Sequence, residues 1–495
     1  MMKKQLLNRI AAAALLASLT ASVCACGSAS AELPKTDTDA DSAAIPQAET
    51  ETAEQGFVYD YPQDYSGGLF RVLNAGDVYS MHAQLDREAE TGEALNDIMY
   101  SRCRTFEEMT GVTLEETGKH VDSELAAFAR KTVQSGDDAY DIIFVPVRDL
   151  NTFVTDGYLY NLVEVGGLQL DQPWWIQAYN DEMILHDELY SAASYAQLMI
   201  IDSIWCLYFN ETVMQNLDLE LPYSVVREGK WTLDKLGEYL KAAASLNGDN
   251  EFAKKSTAGN CFYGCSYPDS YGFLIGVGET IIQKSNGKLE LTAGTERFFN
   301  AMAALANLFT TTDGRFYMNY SGSTGDDDPT SYIGAFENQR SLFMTAEISK
   351  TNRLRDKDFS FGICPYPKYD ESQEAYYVSS FYGTPCLSIP VTVADPERSA
   401  KLSDAFAYLS YDMVLPIFRE TTLEQKNLRN EESVEMLSLI MESVIPNLTW
   451  VFANATNSFK EALNKQLVSS NSEVASVLEK YRSKMEEAIA AYNLD

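Results

Sequence analysis

The chain has 495 residues, with 38 basic against 72 acidic side chains and a formal net charge of −34. So acidic a balance argues against nucleic acid or anionic lipid head groups as partners and for solubility. The length exceeds one typical domain, and 45% hydrophobic with 22% charged residues is an ordinary globular composition, so two compact bodies are the expectation.

Lys3, Lys4 and Arg9 precede an apolar run from Ile10 to Val23 that is too short to span a bilayer as a folded helix. Val23-Cys24-Ala25-Cys26-Gly27-Ser28 resembles a bacterial lipobox, with Cys26 fitting better than Cys24 because small Ala25 precedes it. The reading is a signal peptide over 1–25 and acylation of Cys26, which places the chain on the extracytoplasmic face of a bacterial cell membrane. An ordinary secretory signal with incidental cysteines is the alternative. Loss of the signal removes three cations and leaves −37. Residues 26–56 are low in complexity and lack the apolar surface to offset ordering entropy, so they are expected to be a disordered acidic linker. As a coil of about 30 residues it reaches roughly 30 Å. Asp37-Thr38-Asp39-Ala40-Asp41 opens like a calcium loop, but Ser42 stands where glycine is needed and Ala48 where the bidentate Glu belongs, so no calcium site is expected. No later run is long and apolar enough to span a membrane, so lipid is the one anchor expected.

Leu69–Asn74 reads as a first strand. Leu95, Ile98, Met99, Cys103, Phe106 and Met109 recur at helical spacing, and Gly111 ends that helix. Val112–Glu115 is a second strand, and Ser123 caps a helix with Leu125, Phe128, Ala129 and Val133 on one face. Tyr140–Val145 is an apolar run of the kind a strand buried on both faces shows. Strand and helix alternation of this sort signals an α/β body, whose ligands meet the loops beyond the carboxyl ends of the strands. Pro146, Val147, Arg148 and Asp149 occupy such a loop. Pro173-Trp174-Trp175 begins a further helix, and the Trp pair reads as packing on the body rather than as a sugar platform.

The run Leu198–Phe209 reads as a strand carrying Asp202 in its interior, with Trp205 three residues on. A buried carboxylate needs a hydrogen-bond partner or water beside it. A short helix follows Asn210, then a loop with Pro222 and Gly229, then a helix capped by Thr232 with Trp231 as a staple. Cys261–Glu279 is loop-like and dense in aromatics, which fits a carbohydrate pocket or equally a buried β-region, with Tyr271 the favoured site residue and Asp269 nearby. Phe298–Phe309 is a core helix. Gly325–Pro329 is a surface turn. Ser341–Thr345 and Phe359–Ile363 read as strands, Tyr376–Pro390 as a strand pair broken at Gly383-Thr384-Pro385, and Asp395-Pro396 as the start of a helix reaching Asp412. Ser433–Ser443 and Ser472–Tyr492 are amphipathic helices, with Trp450 in a loop between them.

Cys261 and Cys265 are close enough to pair and Cys364 and Cys386 flank a possible hairpin; buried free thiols are an equally good reading. Three well-separated histidines (His82, His120, His186) leave a zinc site little to build from, and no metal or cofactor is expected.

Three blocks carry a family resemblance: Phe209-Asn210-Glu211-Thr212 through Pro222-Tyr223 and on to Gly229-Lys230-Trp231-Thr232; Thr91-Gly92-Glu93 with Asn96-Asp97, Tyr100, Arg102 and Glu107; and Cys364-Pro365-Tyr366-Pro367-Lys368-Tyr369-Asp370. From about Leu69 to Ser443 the chain resembles the extracellular solute-binding lipoproteins of carbohydrate ABC transporters, of the maltodextrin-binding type. Cys103 departs from the pattern where a polar residue is usual. The resemblance implies an α/β, two-lobed periplasmic-binding-protein-like fold whose discontinuous lobes are joined by a hinge. Lobe I would take 57–200 and return over 341–410; lobe II would take 201–340 and return over 411–495. It implies a non-enzymatic protein that captures a carbohydrate, an oligosaccharide, in the cleft and delivers it to membrane permease subunits of an ABC transporter. The site residues it suggests are Arg148 and Asp149 beyond the third strand, Asp202 and Trp205 at the lobe crossing, Tyr271 in lobe II, Tyr382 in the returning segment and Trp450. Family members carry an aromatic beside the Arg148 position, where this chain has Val145-Pro146. A peptide or other small solute is the competing ligand, and an adhesin or sensor on the same fold a competing role. A two-carboxylate glycoside hydrolase is the enzyme alternative, since acidic pairs about 5–10 Å apart are not legible in sequence. No Gly-x-Ser-x-Gly elbow, P-loop or zinc motif occurs.

Overall fold

The structure, a computed structural model, describes residues 59–61, 65–252, 259–266, 270–309, 312–318, 328–420, 430–468 and 473–493. The signal segment, Cys26, the linker, Asp269 and all of the Gly325–Pro329 turn but its last two residues lie outside them. Eleven strands are described: β1 Gly68–Ala75, β2 Val112–Lys119, β3 Ile142–Pro146, β4 Trp205–Asn210, β5 Tyr263–Ser266, β6 Ile282–Ser285, β7 Lys288–Leu291, β8 Phe316–Tyr317, β9 Ser341–Glu347, β10 Phe361–Cys364 and β11 Pro385–Ser388.

β1, β2, β3 and β11 form a first sheet in the order β11-β3-β1-β2. β1 runs parallel to both neighbours, and β11 closes the edge antiparallel to β3. β3 is buried at all five positions, as its apolar run implies. β2 continues to Lys119, beyond the apolar residues, because β1 pairs with it residue for residue from Gly68 opposite Val112 to Ala75 opposite Lys119. The helix Ala94–Thr110 buries Leu95, Met99, Cys103 and Phe106 and ends on Gly111 in the left-handed region. Arg102 is buried with it, and its guanidinium donates to Ser410 Oγ at 2.7 Å and to the carbonyl of Leu85. The helix expected after Ser123 begins at Leu125, with Glu124 in the cap position and no side-chain cap.

Trp174 and Trp175 are buried, and both indole N–H groups donate to Asp404 Oδ1, at 3.0 and 2.8 Å. Tyr59 and Gln169 donate to Oδ2 of the same carboxylate. The pair packs in the core beside the helix Pro396–Leu409, which carries Asp404. The helix following the pair is Gln177–Met183.

The second sheet has the order β10-β4-β9-β5-β8, with β6 and β7 as a separate hairpin. Here two expectations are corrected. Ser341–Glu347 and Phe361–Cys364, expected in the lobe I return from 341, pair antiparallel with β4 in the second sheet. The chain regains the first sheet only between Cys364 and Pro385. Nor is Leu198–Phe209 one strand: Met199–Asp202 is a helical turn and β4 starts at Trp205. A buried apolar run satisfies either conformation, so its pattern does not choose between them. In Cys261–Glu279, β5 and the helix Ser270–Gly276 replace the expected loop. Trp450 stands in a helical turn, Leu448–Val451, rather than a loop.

The two sheets are linked by neighbouring segments. Trp205 N–H donates to the carbonyl of Ser379 at 2.9 Å, and Phe381 N–H to that of Ser203 at 2.8 Å. The outward crossing at 203–205 and the return at 379–381 thus run antiparallel, a two-stranded connection of the kind that serves as a hinge. Asn210 caps the helix Glu211–Asn216, and Thr232 caps Leu233–Ala243. Trp231 is buried and donates to the carbonyl of Pro365 at 2.9 Å, fixing the Cys364–Asp370 turn. All six described cysteines are free and buried, so neither candidate pair is bridged; Cys364 and Cys386 lie in different sheets.

Candidate functional site

The carboxyl edge of the first sheet gathers polar and aromatic side chains, one set from each strand end. Beyond β3, Val147–Asp149 forms a tight helical turn that presents Arg148. Beyond β2, Val121 and Asp122 receive it: Arg148 Nη1 donates to Asp122 Oδ1 at 2.5 Å and Nη2 to the Val121 carbonyl at 3.0 Å. Its Nε reaches Asp149 Oδ2 at 3.3 Å. Beyond β1, the Tyr79 hydroxyl donates to the other oxygen of Asp122 at 2.7 Å. Before β11, which runs the opposite way, Tyr382 arrives at the same edge and its ring lies 5.0 Å from the Arg148 guanidinium. Burial works against the Arg148 charge, but Asp122 and Asp149 outweigh it and hold the guanidinium more firmly protonated than usual. Burial raises the Asp149 carboxyl above the ordinary range, with Arg148 pulling the other way.

From this edge a line of rings runs on. Tyr79 and Phe381 have centroids 6.3 Å apart, Phe381 and Tyr382 4.5 Å, Tyr382 and Trp450 5.4 Å, and Trp450 and Tyr271 5.1 Å. Lys460, on the helix Ala453–Val468, places Nζ 4.0 Å from the Trp450 ring centroid and 5.7 Å from that of Tyr382. The Tyr271 hydroxyl donates to Asn447 Oδ1 at 3.3 Å, which joins the far end of the line to the cap of the Leu448–Val451 turn. The Trp450 indole N–H is enclosed and has no hydrogen-bond partner among the described residues. Tyr382 and Trp450 are half-buried, so ring surface remains open. Aromatic faces beside fixed charged and amide groups bind polar molecules that carry apolar C–H faces: stacking supplies affinity and the polar groups supply orientation.

Of the seven ligand residues the sequence suggested, the structure brings Arg148, Asp149, Tyr382, Trp450 and Tyr271 into this one chain of contacts. Asp202 and Trp205 stand at the crossing instead. The Asp202 carboxylate is buried and accepts from both the backbone N–H and Nδ1 of His82, each at 2.7 Å, so its partner is a histidine rather than water or ligand. Trp205 is half-buried at the head of β4, opposite Glu347. Tyr79, Asp122, Phe381 and Lys460 were not anticipated. Tyr79 and Asp122 follow β1 and β2 as Arg148 follows β3, so the strand-end rule applied to every strand would have found them. Lys460 had no signal, because the helix Ala453–Val468 that carries it was itself not read from the sequence.

No protein-family model and no curated protein matches the chain. Solved structures do match. The cyclic α-maltosyl-1,6-maltose binding protein from Arthrobacter globiformis aligns with a TM-score of 0.57 at 13% identity, over 86% of this chain and 98% of that one. An ABC substrate-binding protein from Listeria monocytogenes, in complex with cycloalternan, aligns at 0.54 and 13%, over 86% and 99%. This chain has the two-lobed α/β fold of the solute-binding proteins. UgpB from Mycobacterium tuberculosis, in complex with glycerophosphocholine, aligns at 0.55 and 14%, over 86% and 100%. The side chains set at the strand ends of this fold here are Arg148, Asp122, Tyr79 and Tyr382. Among the described residues no helix is long and apolar enough to cross a membrane, and no group of three His, Cys, Asp or Glu side chains could hold a metal ion.

Proposed function

We propose that this chain is an extracytoplasmic solute-binding protein, tethered by lipid at Cys26, that captures a carbohydrate and hands it to the permease subunits of an ABC transporter. The observation that carries the reading is the run of five rings from Tyr79 to Tyr271, flanked by Arg148, Asp149 and Lys460. Its length, four successive ring contacts, suits an oligosaccharide better than a single sugar. The lobes of this reading are built on the two sheets, with 203–205 and 379–381 as the hinge about which they close. Closure changes the outer surface, which is what a permease would read; nothing covalent happens to the solute. The solved relatives named above that are bound to cycloalternan or described as maltosyl-maltose binding support a sugar.

A thermal-shift screen of the body from Gly56 onward tests this, using maltooligosaccharides, cyclic glucans and monosaccharides, with peptides and glycerophosphodiesters as controls. A ligand at 100 times its Kd adds about 2.7 kcal/mol, a shift of degrees. A shift from an oligosaccharide recovered intact supports the proposal. A shift from peptides or phosphodiesters alone, or recovery of cleaved sugar, overturns it.

A further inference from the structure

On the other side of the Leu448–Val451 turn from Trp450, a cavity of about 270 Å³ opens between the helix Gln177–Met183 and the β6–β7 hairpin. That volume holds about nine waters at ~30 Å³ each and falls just below the usual range for drug-sized ligands. Five polar side chains line it: Thr280, whose hydroxyl donates to the Ile282 carbonyl, and Glu182, Gln283, Lys284 and Tyr377. Lys284 Nζ donates to the carbonyls of Asp181 and of Ile184, the latter at 3.2 Å, and stands 3.8 Å from the Glu182 carboxylate. The cation is therefore anchored and its charge balanced. Glu182 is the counter-ion of Lys284, while the Gln283 amide and the Tyr377 hydroxyl have no protein partner among the described residues. Among the described residues the Glu182 carboxylate, the Gln283 amide and the Tyr377 hydroxyl make no hydrogen bond, which leaves their capacity open to a molecule in the cavity they line. Ile282, Ile445 and Leu448 supply apolar wall between them.

We propose that this cavity is a second binding site, for a neutral polyol of monosaccharide size, separate from the aromatic line. The balanced Lys284–Glu182 pair disfavours a charged ligand, whose own charge would have no counterpart. A carboxylate, an amide and a phenol converging on one small space match hydroxyls, each of which donates and accepts. The volume accommodates one sugar ring. Glu182 lies on the helix Gln177–Met183 and Gln283 on the β6–β7 hairpin, so a bound polyol bridges these two elements and favours one relative position of them.

Equilibrium dialysis of labelled glucose, galactose, mannose and myo-inositol against the purified chain tests this. The expected result is retention of at least one, within twofold of wild type in Trp450→Ala, and at least tenfold weaker in Gln283→Ala and in the cavity-filling Ile445→Trp. Circular dichroism checks that each variant is folded, and Gln283→Ala decides the matter if Ile445→Trp is not. Retention of none of the four, or loss in Trp450→Ala with normal binding in Gln283→Ala, overturns the site. Oligosaccharide binding is read in the same variants, so failure of the aromatic line and failure of this cavity are distinguishable.

Discussion

The ring of Tyr382 lies 5.4 Å from that of Trp450. Tyr382 enters from the edge of the first sheet and Trp450 from the helical turn Leu448–Val451, which packs against both the Val147–Asp149 turn beyond β3 and strand β6, so this contact lies at the proposed ligand surface where those elements meet. Trp450→Ala should weaken oligosaccharide binding by about 2 kcal/mol, roughly thirtyfold in Kd, as truncation of a central aromatic does. Isothermal titration reads it, and an unchanged Kd would remove Trp450 from the site.

Arg148 donates to Asp122, Asp149 and the Val121 carbonyl while lying beside Tyr382. Arg148→Lys keeps the charge but not the forked geometry, so tenfold or greater loss of affinity is expected with little change in the thermal midpoint. Equal affinity in the Lys variant would show that charge alone suffices.

Asp404 accepts from Tyr59, Trp174, Trp175 and both the backbone and side-chain amides of Gln169. Asp404→Ala leaves buried donors without an acceptor, and about 3 kcal/mol or more of stability should be lost. Urea unfolding measures this. A loss below about 1 kcal/mol would mean that water replaces the carboxylate.

His82 is pushed down by burial and up by Asp202, and the carboxylate prevails, so its folded pKa lies above the ordinary value. The sign follows: the stability it contributes is fully present below the unfolded value of about 6.5 and is lost as pH rises through the folded pKa. The stability difference between wild type and His82→Gln should therefore shrink as pH rises above about 6.5 and through the raised folded pKa. A difference independent of pH would show that the ring is neutral throughout. Asp202 adjoins Ser203, whose carbonyl takes part in the crossing, so the same titration read by ligand affinity reports on the hinge.

Burial pushes the Cys103 and Cys386 thiols up to about 12, and the other described thiols are buried as well. The body from Gly56 onward should show six thiols to a disulfide-exchange reagent in guanidinium and close to none in minutes under native conditions. Rapid native reaction would contradict the packing. Separately, Cys26→Ala should move the chain from the membrane fraction to the medium; retention on the membrane would end the lipid-anchor proposal.

Much of the first body was legible because its signals are local. The five-residue buried strand β3, the helix stop at Gly111 and the caps at Asn210 and Thr232 depend on neighbours a few residues away. The strand-end rule that selected Arg148 and Asp149 is local too. What sheet a strand joins is not local. Ser341–Glu347 is buried at all seven positions and would suit either sheet; pairing with β4, more than 130 residues earlier, decides it. The Trp pair and Asp202 show the same division. Their residue types declare that each buried polar atom needs a partner, and only the folded chain supplies Asp404, some 230 residues on, and His82, 120 residues back. By itself the sequence determined an acidic α/β chain with aromatic and charged residues set at strand ends. The tertiary structure decided which of those residues touch, because contacts between distant segments are set by how whole sheets and helices pack, and no residue's own pattern encodes its distant neighbour.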